Sequence, residues 1–317
     1  MFHVRSRVAL GATIALTLAA ATVTAAGTLV PASAGLTAGP VEVSIDANRM
    51  VTMPDTLVPG VTTFHVTSEK VSSFQLVLPA DGYTKDQAAN DVAKGLGGGK
   101  VKAIRRFESH VTLYGGGLAT PTRPATVAVD LPAGTYWALD TNAPPAADYF
   151  HTFTVSGTPT GATMPAPTAT VRAKNDADWA KRPRSIPHRG TLAFHNASTD
   201  NHFVEIVKLR KGKTYADFKH WLTQVMNGKN PKPPINDRRS YEGAVVSPGH
   251  TVQTNYRLPR GDYVMLCWCR TPTWVACRTC SWGCIAPSRS PESGTSRPGE
   301  ACPPVAGFPR AGVALLG

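Results

Sequence analysis

Short stretches in which apolar and polar residues alternate dominate the chain. Val41-Glu-Val-Ser-Ile45, Val61-Thr-Thr-Phe-His-Val66 and Phe74-Gln-Leu-Val-Leu78 each place apolar side chains on one face of an extended backbone, which predicts strands. Thr126-Val-Ala-Val-Asp-Leu131, Gly134-Thr-Tyr-Trp-Ala-Leu139 and Phe150-His-Thr-Phe-Thr-Val155 repeat the pattern. Between them, Asp81-Gly82 reads as a turn and Thr84-Lys-Asp-Gln87 as a capping box. Ala88, Val92 and Leu96 then recur every four residues, which predicts one amphipathic helix ended by Gly97-Gly-Gly99.

Residues 157–187 are rich in Pro, Thr, Ala and charge, show no sustained period, and predict a linker. Beyond it the pattern returns. Gly60-Val-Thr-Thr-Phe-His65 aligns with Gly190-Thr-Leu-Ala-Phe-His195 at an offset of 130, and the same offset lays Leu76-Val77 on Ile206-Val207 and Gly82-Tyr-Thr84 on Gly212-Lys-Thr214. A second helix, with Phe218, Leu222 and Val225 or Met226 on its face, matches the first. Further on, Leu131-Pro-Ala-Gly-Thr-Tyr136 aligns with Leu258-Pro-Arg-Gly-Asp-Tyr263 at an offset of 127. Such a repeat implies two copies of one all-β domain with a helix inserted in each, and the short strands and turns imply a sandwich in each copy. The expected division is a first domain over 40–156, the linker over 157–187, a second domain over 188–268 and a tail over 269–317.

Composition agrees with two β-rich domains: 317 residues with 28 Gly and 27 Pro suit strands and turns rather than one large α/β enzyme. Residues 1–34 read as a signal peptide, with Arg5 and Arg7 before an apolar run from Val8 to Ala26 and Ala32-Ser33-Ala34 as a cleavage site. The chain is therefore expected to be secreted and soluble, with an uncleaved N-terminal membrane anchor as the alternative. A net charge of +12 favours anionic surroundings such as a cell-wall polymer or lipid surface, or reflects only a solvated basic surface. No basic run is interleaved with aromatic residues, so no nucleic-acid partner is expected. There is no His-x-His pair, Gly-x-Ser-x-Gly elbow, His-Glu-x-x-His motif or phosphate-binding glycine loop, and the chain is not expected to be an enzyme.

The remaining chemistry gathers in the second copy. His202 stands just before a strand, where the first copy has Ser72, and Cys267 ends the Gly-x-Tyr strand, where the first copy has Asp140. A thiol at a strand end suits a soft metal site, and equally a plain buried thiol. With Asn196, His202-Phe203 and Gly261-Asp-Tyr-Val-Met-Leu-Cys267, the second copy resembles the cupredoxin-like (blue-copper) family, and both copies follow its strand pattern. The resemblance implies two tandem Greek-key sandwiches and one copper ion in the second domain, serving electron transfer or copper handling with an unidentified redox partner. It makes His202 the early imidazole ligand and Cys267 the thiolate, with His195 near enough to substitute. It also implies a later His and Met, and neither residue type occurs after Cys267.

The tail offers an explanation. From Cys269 to Gly317 there is no Lys, His, Asp, Asn, Gln, Tyr or Met, while Arg, Pro, Ser, Gly and Ala crowd in. We read this as translation in a shifted frame. Shifting by one base lets the stretch from Trp274 to Cys284 encode Gly-Gly-Met-Pro-His-Val-Phe-Met-Gly-Met, the missing family loop, and loss of one G from a Trp codon at position 269 accounts for the slip. On that reading the site is incomplete, copper binding is weak or absent, and the tail is disordered by composition. The rival reading takes Cys277-Arg-Thr-Cys280-Ser-Trp-Gly-Cys284 at face value, as a zinc site or a disulfide-rich module. A third reading makes both sandwiches metal-free cell-surface binding or scaffold modules with Cys267 merely buried. The other histidines read as structural or surface residues, and the glycosylation triplet Asn196-Ala-Ser198 as chance.

Overall fold

The computed structural model describes residues 39–175, 178–267 and 280–283, apart from the side chains of residues 178, 226, 237–239 and 280–283. The expected signal peptide and, except for those four residues, the expected aberrant tail lie outside this description.

The first domain runs β1 (Val41–Ile45), β2 (Val51–Thr52), β3 (Thr56–Leu57), β4 (Gly60–Ser68), β5 (Ser72–Pro79), α1 (Lys85–Val92), α2 (Val101–Ser109), β6 (Val111–Ala119), β7 (Ala125–Leu131), β8 (Gly134–Asp140) and β9 (His151–Val155). The second runs β10 (Ala169–Lys174), β11 (Asp178–Lys181), β12 (Arg189–Asn196), β13 (Glu205–Leu209), α3 (Tyr215–Met226), β14 (Ile235–Glu242), β15 (Thr251–Arg257), β16 (Tyr263–Leu266) and β17 (Cys280–Gly283). The architecture is all-β, two tandem sandwiches.

The two copies share one pairing scheme. β1 lies parallel to β4, as β10 does to β12, and β4 pairs antiparallel with β7, as β12 does with β15. On the facing sheets β5 pairs with β6 and β8, as β13 does with β14 and β16. Chains that cross between two sheets in this order bury one face of each, and Phe64, Phe74, Tyr136 and Phe153 fill the first interior as Phe194, Ile206, Tyr263 and Met265 fill the second. Each such side chain contributes roughly 1.5–3 kcal/mol on burial. In both copies the tyrosine of Leu-Pro-x-Gly-x-Tyr reaches back four residues. The Tyr136 hydroxyl donates to the Pro132 carbonyl at 2.8 Å, and that of Tyr263 to the Pro259 carbonyl.

Three expectations need correction. The insert of the first domain is two helices, not one: α1 carries the expected capping box, then α2 packs back, joined to it by the Arg106–Asp91 ion pair. Residues 169–181, assigned to the linker, form β10 and β11, because Ala169, Val171 and Ala173 alternate inward with residues too small to announce a core. Cys280–Gly283, within the expected tail, pairs antiparallel with β16.

The two sandwiches share one eight-stranded sheet, in the order β11-β10-β12-β15-β7-β4-β1-β2. The seam joins equivalent strands: Thr254 pairs with Val127, its own counterpart at the offset of 127. Gly115 makes the approach possible, because a Cβ there would meet the Val252 side chain at 2.8 Å. Gly116 serves the pairing of β6 with β5, where a Cβ would lie 1.8 Å from the Phe74 carbonyl oxygen. Across the same seam Tyr114 and Gly117 of β6 form bridges with Val246 and Gly243 of the second domain.

Candidate metal centre

β16 alternates cleanly. Tyr263, Met265 and Cys267 face the sandwich interior, whereas Val264 and Leu266 pack beneath α3. Cys267 thus enters the interior because it continues an extended strand by one residue. His202 lies on the loop between β12 and β13, three residues before β13, the strand that pairs with β16. Asn196 shapes that loop. Its buried Nδ2 donates to the carbonyls of Asp200 and Val246, each at 2.7 Å, and its Oδ1 accepts from the Ser198 amide and hydroxyl. An amide so engaged is closed to glycosylation in the folded chain. His202 is then held by its backbone, donating to the Val246 carbonyl at 3.1 Å and accepting from the Val246 amide at 2.7 Å.

The result is one close pair. His202 Nδ1 lies 3.2 Å from Cys267 Sγ, 65 residues away in sequence, and each residue is only 2% exposed. An imidazole and a thiolate suit copper in either oxidation state. With metal–nitrogen bonds of about 2.0 Å and metal–sulfur bonds of about 2.3 Å, a tetrahedral centre separates two such donors by about 3.5 Å. The observed spacing, that of a direct imidazole–thiol hydrogen bond, is a few tenths of an ångström shorter than this zinc-based value, so the pair would open by about that much to admit an ion. Among the described residues there is no group of three or more His, Cys, Asp or Glu placed to hold a metal.

His195 is not brought to this pair. It sits on β12 between inward-facing Phe194 and buried Asn196, so its ring projects from the opposite face of the sheet, where Nδ1 lies 2.9 Å from the Thr251 hydroxyl. Burial, aided by the Arg172 charge, holds its pKa below the ordinary 6.5. Five other histidines have local partners: His65 with Glu42, His110 with the Arg106 carbonyl, His151 with Asp55, His220 with Gln224, and His250 against the Tyr114 ring.

The corresponding place in the first copy holds different chemistry. Asp140 pairs with Phe74, and the matching register of β13 and β16 continues to set Cys267 opposite Val204, so Asp140 and Cys267 are true counterparts. Asp140 accepts from Arg49 at 2.6 Å and from the amides of Ser73 and Asn142, while buried Ser72, the counterpart of His202, pairs with Ser68. Where the second copy offers two soft donors, the first is closed by an ion pair.

No protein-family model matches the chain, and neither does any curated protein. Among solved structures, it is similar to reduced auracyanin from Roseiflexus castenholzii, at 19% identity over 31% of this chain and 81% of that one, with a TM-score of 0.22. It is also similar to a Cu-containing nitrite reductase from Thermus scotoductus SA-01, at 10% identity over 78% of this chain, with a TM-score of 0.22; the match spans 60% of that protein's length. A Blue Copper Oxidase from Nitrosomonas europaea is similar at 12% identity over 71% of this chain and 78% of that one, with a TM-score of 0.19. No helix among the described residues is long and apolar enough to cross a membrane.

Proposed function

We propose that the chain is an exported copper-handling protein, not an enzyme, whose second domain binds one copper ion through His202 Nδ1 and Cys267 Sγ. The juxtaposition of these two buried side chains, at the same end of the paired strands β13 and β16, is the observation that supports it. Copper would supply a thiolate-stabilised one-electron centre. The protein's share is to present the two donors side by side and to bury them among Met265, Tyr263 and Phe194. Two protein donors leave the remaining positions to solvent or an incoming ligand, which favours weak, exchangeable binding over a closed electron-transfer site. A basic overall charge suits an anionic cell-wall or lipid surface, or an acidic redox partner.

On this reading the tail after codon 269 is a shifted frame that replaces the loop carrying the other ligands. Resequencing the locus tests that part directly, and an unbroken frame with no skipped base would refute it. Copper(II) added to the purified chain tests the open site. The expected spectrum lacks an intense thiolate-to-copper band in the red, and such a band would show a complete site instead.

A further inference from the structure

The first domain carries none of the proposed ligands, yet its Gln75 touches the backbone that holds His202. Gln75 lies on β5, 3% exposed, in a strand otherwise committed to apolar packing. Its Nε2 donates to the Val245 carbonyl at 3.0 Å and its Oε1 accepts from the Val245 amide at 2.9 Å, so one side-chain amide pairs with both polar groups of a residue 170 positions away. Gly115 and Gly116 on the intervening strand β6 leave that path clear of side chains. On either side of Val245 the seam is ordered: Gly243 bridges Gly117, Val246 bridges Tyr114, and Ser247 exchanges hydrogen bonds with the Leu113 backbone. Val246 is also the residue that pairs both ways with His202. A run of hydrogen bonds through the Gln75 side chain and the Val245–Val246 backbone therefore links the first domain to the backbone of His202.

We infer that Gln75 is a positioning residue for the copper-binding imidazole: by clamping the Val245 peptide it fixes Val246, and Val246 fixes His202 opposite Cys267. The inference deepens the copper reading and rests on it for its functional meaning. It gives the ligand-free first domain a task, as the wall against which the second domain's ligand loop is set. Residues that orient a metal ligand from outside typically change affinity by about 10–100-fold when replaced.

The test uses the full chain with copper(I) as probe, measured by competition with a coloured chelator, together with amide exchange at His202 and Val246. Gln75→Leu is expected to weaken copper(I) binding about tenfold and to speed exchange at both amides. Gln75→Glu, which keeps the acceptor and loses the donor, is expected to fall between Gln75→Leu and wild type. Ile45→Val, on β1 and separated from the seam by β4 and β7, is chosen to reduce stability within the first domain and is expected to leave both readouts unchanged. Equal affinity and exchange in wild type and Gln75→Leu would overturn the inference, as would equal losses in Ile45→Val. If Cys267→Ser leaves copper(I) uptake intact, the copper reading fails separately, and faster exchange at His202 and Val246 in Gln75→Leu would still uphold the positioning role.

Discussion

Arg49 donates to Asp140 at 2.6 Å, at the place in the first domain that Cys267 occupies in the second. The carboxylate is fully buried and also takes two backbone amides, so it needs the guanidinium to offset its desolvation. Arg49 adopts a left-handed backbone, φ 70°, to deliver that charge. Replacing Arg49 with Ala strands a buried negative charge and is expected to cost about 2–3 kcal/mol, toward the low end for such pairs because Arg49 remains partly exposed. Urea unfolding measures it; a loss below about 0.5 kcal/mol would mean that water reaches Asp140 and that the pair does not close this end of the sandwich.

The two tyrosine hydroxyls that reach back to Pro132 and Pro259 should behave alike if the repeat is structural. Tyr136→Phe and Tyr263→Phe each remove one hydrogen bond to a carbonyl without opening a cavity, and each is expected to cost about 1 kcal/mol. Thermal unfolding of the two variants compares them, and a loss confined to one copy would contradict the equivalence.

Two glycines of β6 leave room for different neighbours. Gly115→Ala would strike Val252 of the second domain while forcing an alanine to φ 86°, and Gly116→Ala would press a methyl group into the backbone oxygen of Phe74 on the adjacent strand β5 of its own domain. Each is expected to destabilise by more than about 3 kcal/mol. Gly97→Ala, with nothing within 4 Å, is expected to stay within about 0.5 kcal/mol of wild type. Chemical denaturation distinguishes the three.

Stability should also fall on mild acidification. Burial holds the pKa of His195 and of His250 below the ordinary 6.5; the Arg172 charge adds to the effect at His195, and the His195 charge does so at His250. A depressed folded-state value means that the unfolded chain takes up protons first, so stability declines as pH drops through 6.5 and levels off below the folded-state values. The double variant His195→Gln, His250→Gln is expected to flatten melting temperature against pH between neutrality and the carboxylate range. An unchanged slope would place the titration elsewhere.

The duplicated plan was legible in the sequence because its signals are local: Leu-Pro-x-Gly-x-Tyr and Gly-x-x-x-Phe-His each reappear in the structure at matching places, and the capping box read at Thr84 has a structural counterpart at Thr214. What escaped was set by distant partners. Gly115-Gly-Gly117 reads as a breaker, yet it lies inside β6 because Phe74 and Val252 leave no room for a Cβ. β10 carries small inward residues and polar or charged outward ones, a pattern no different from a polar linker until β12 pairs with it, whereas β11 buries Trp179 against Phe194. At the site, His202 and Cys267 were visible as a histidine before a strand and a thiol ending one. Their closeness follows from the β13–β16 register and from Asn196. Gln75 looked like an ordinary polar step in an alternating strand, since nothing near it in sequence reveals Val245.

The central claim is that His202 and Cys267 together hold one copper ion, and copper(I) competition on the full chain tests it most directly. Wild type is expected to withdraw up to one copper(I) per chain from a moderate-affinity chelator, and Cys267→Ser and His202→Ala are each expected to abolish that uptake. Unchanged uptake in either variant would contradict the claim and leave Cys267 as a buried thiol in a metal-free sandwich.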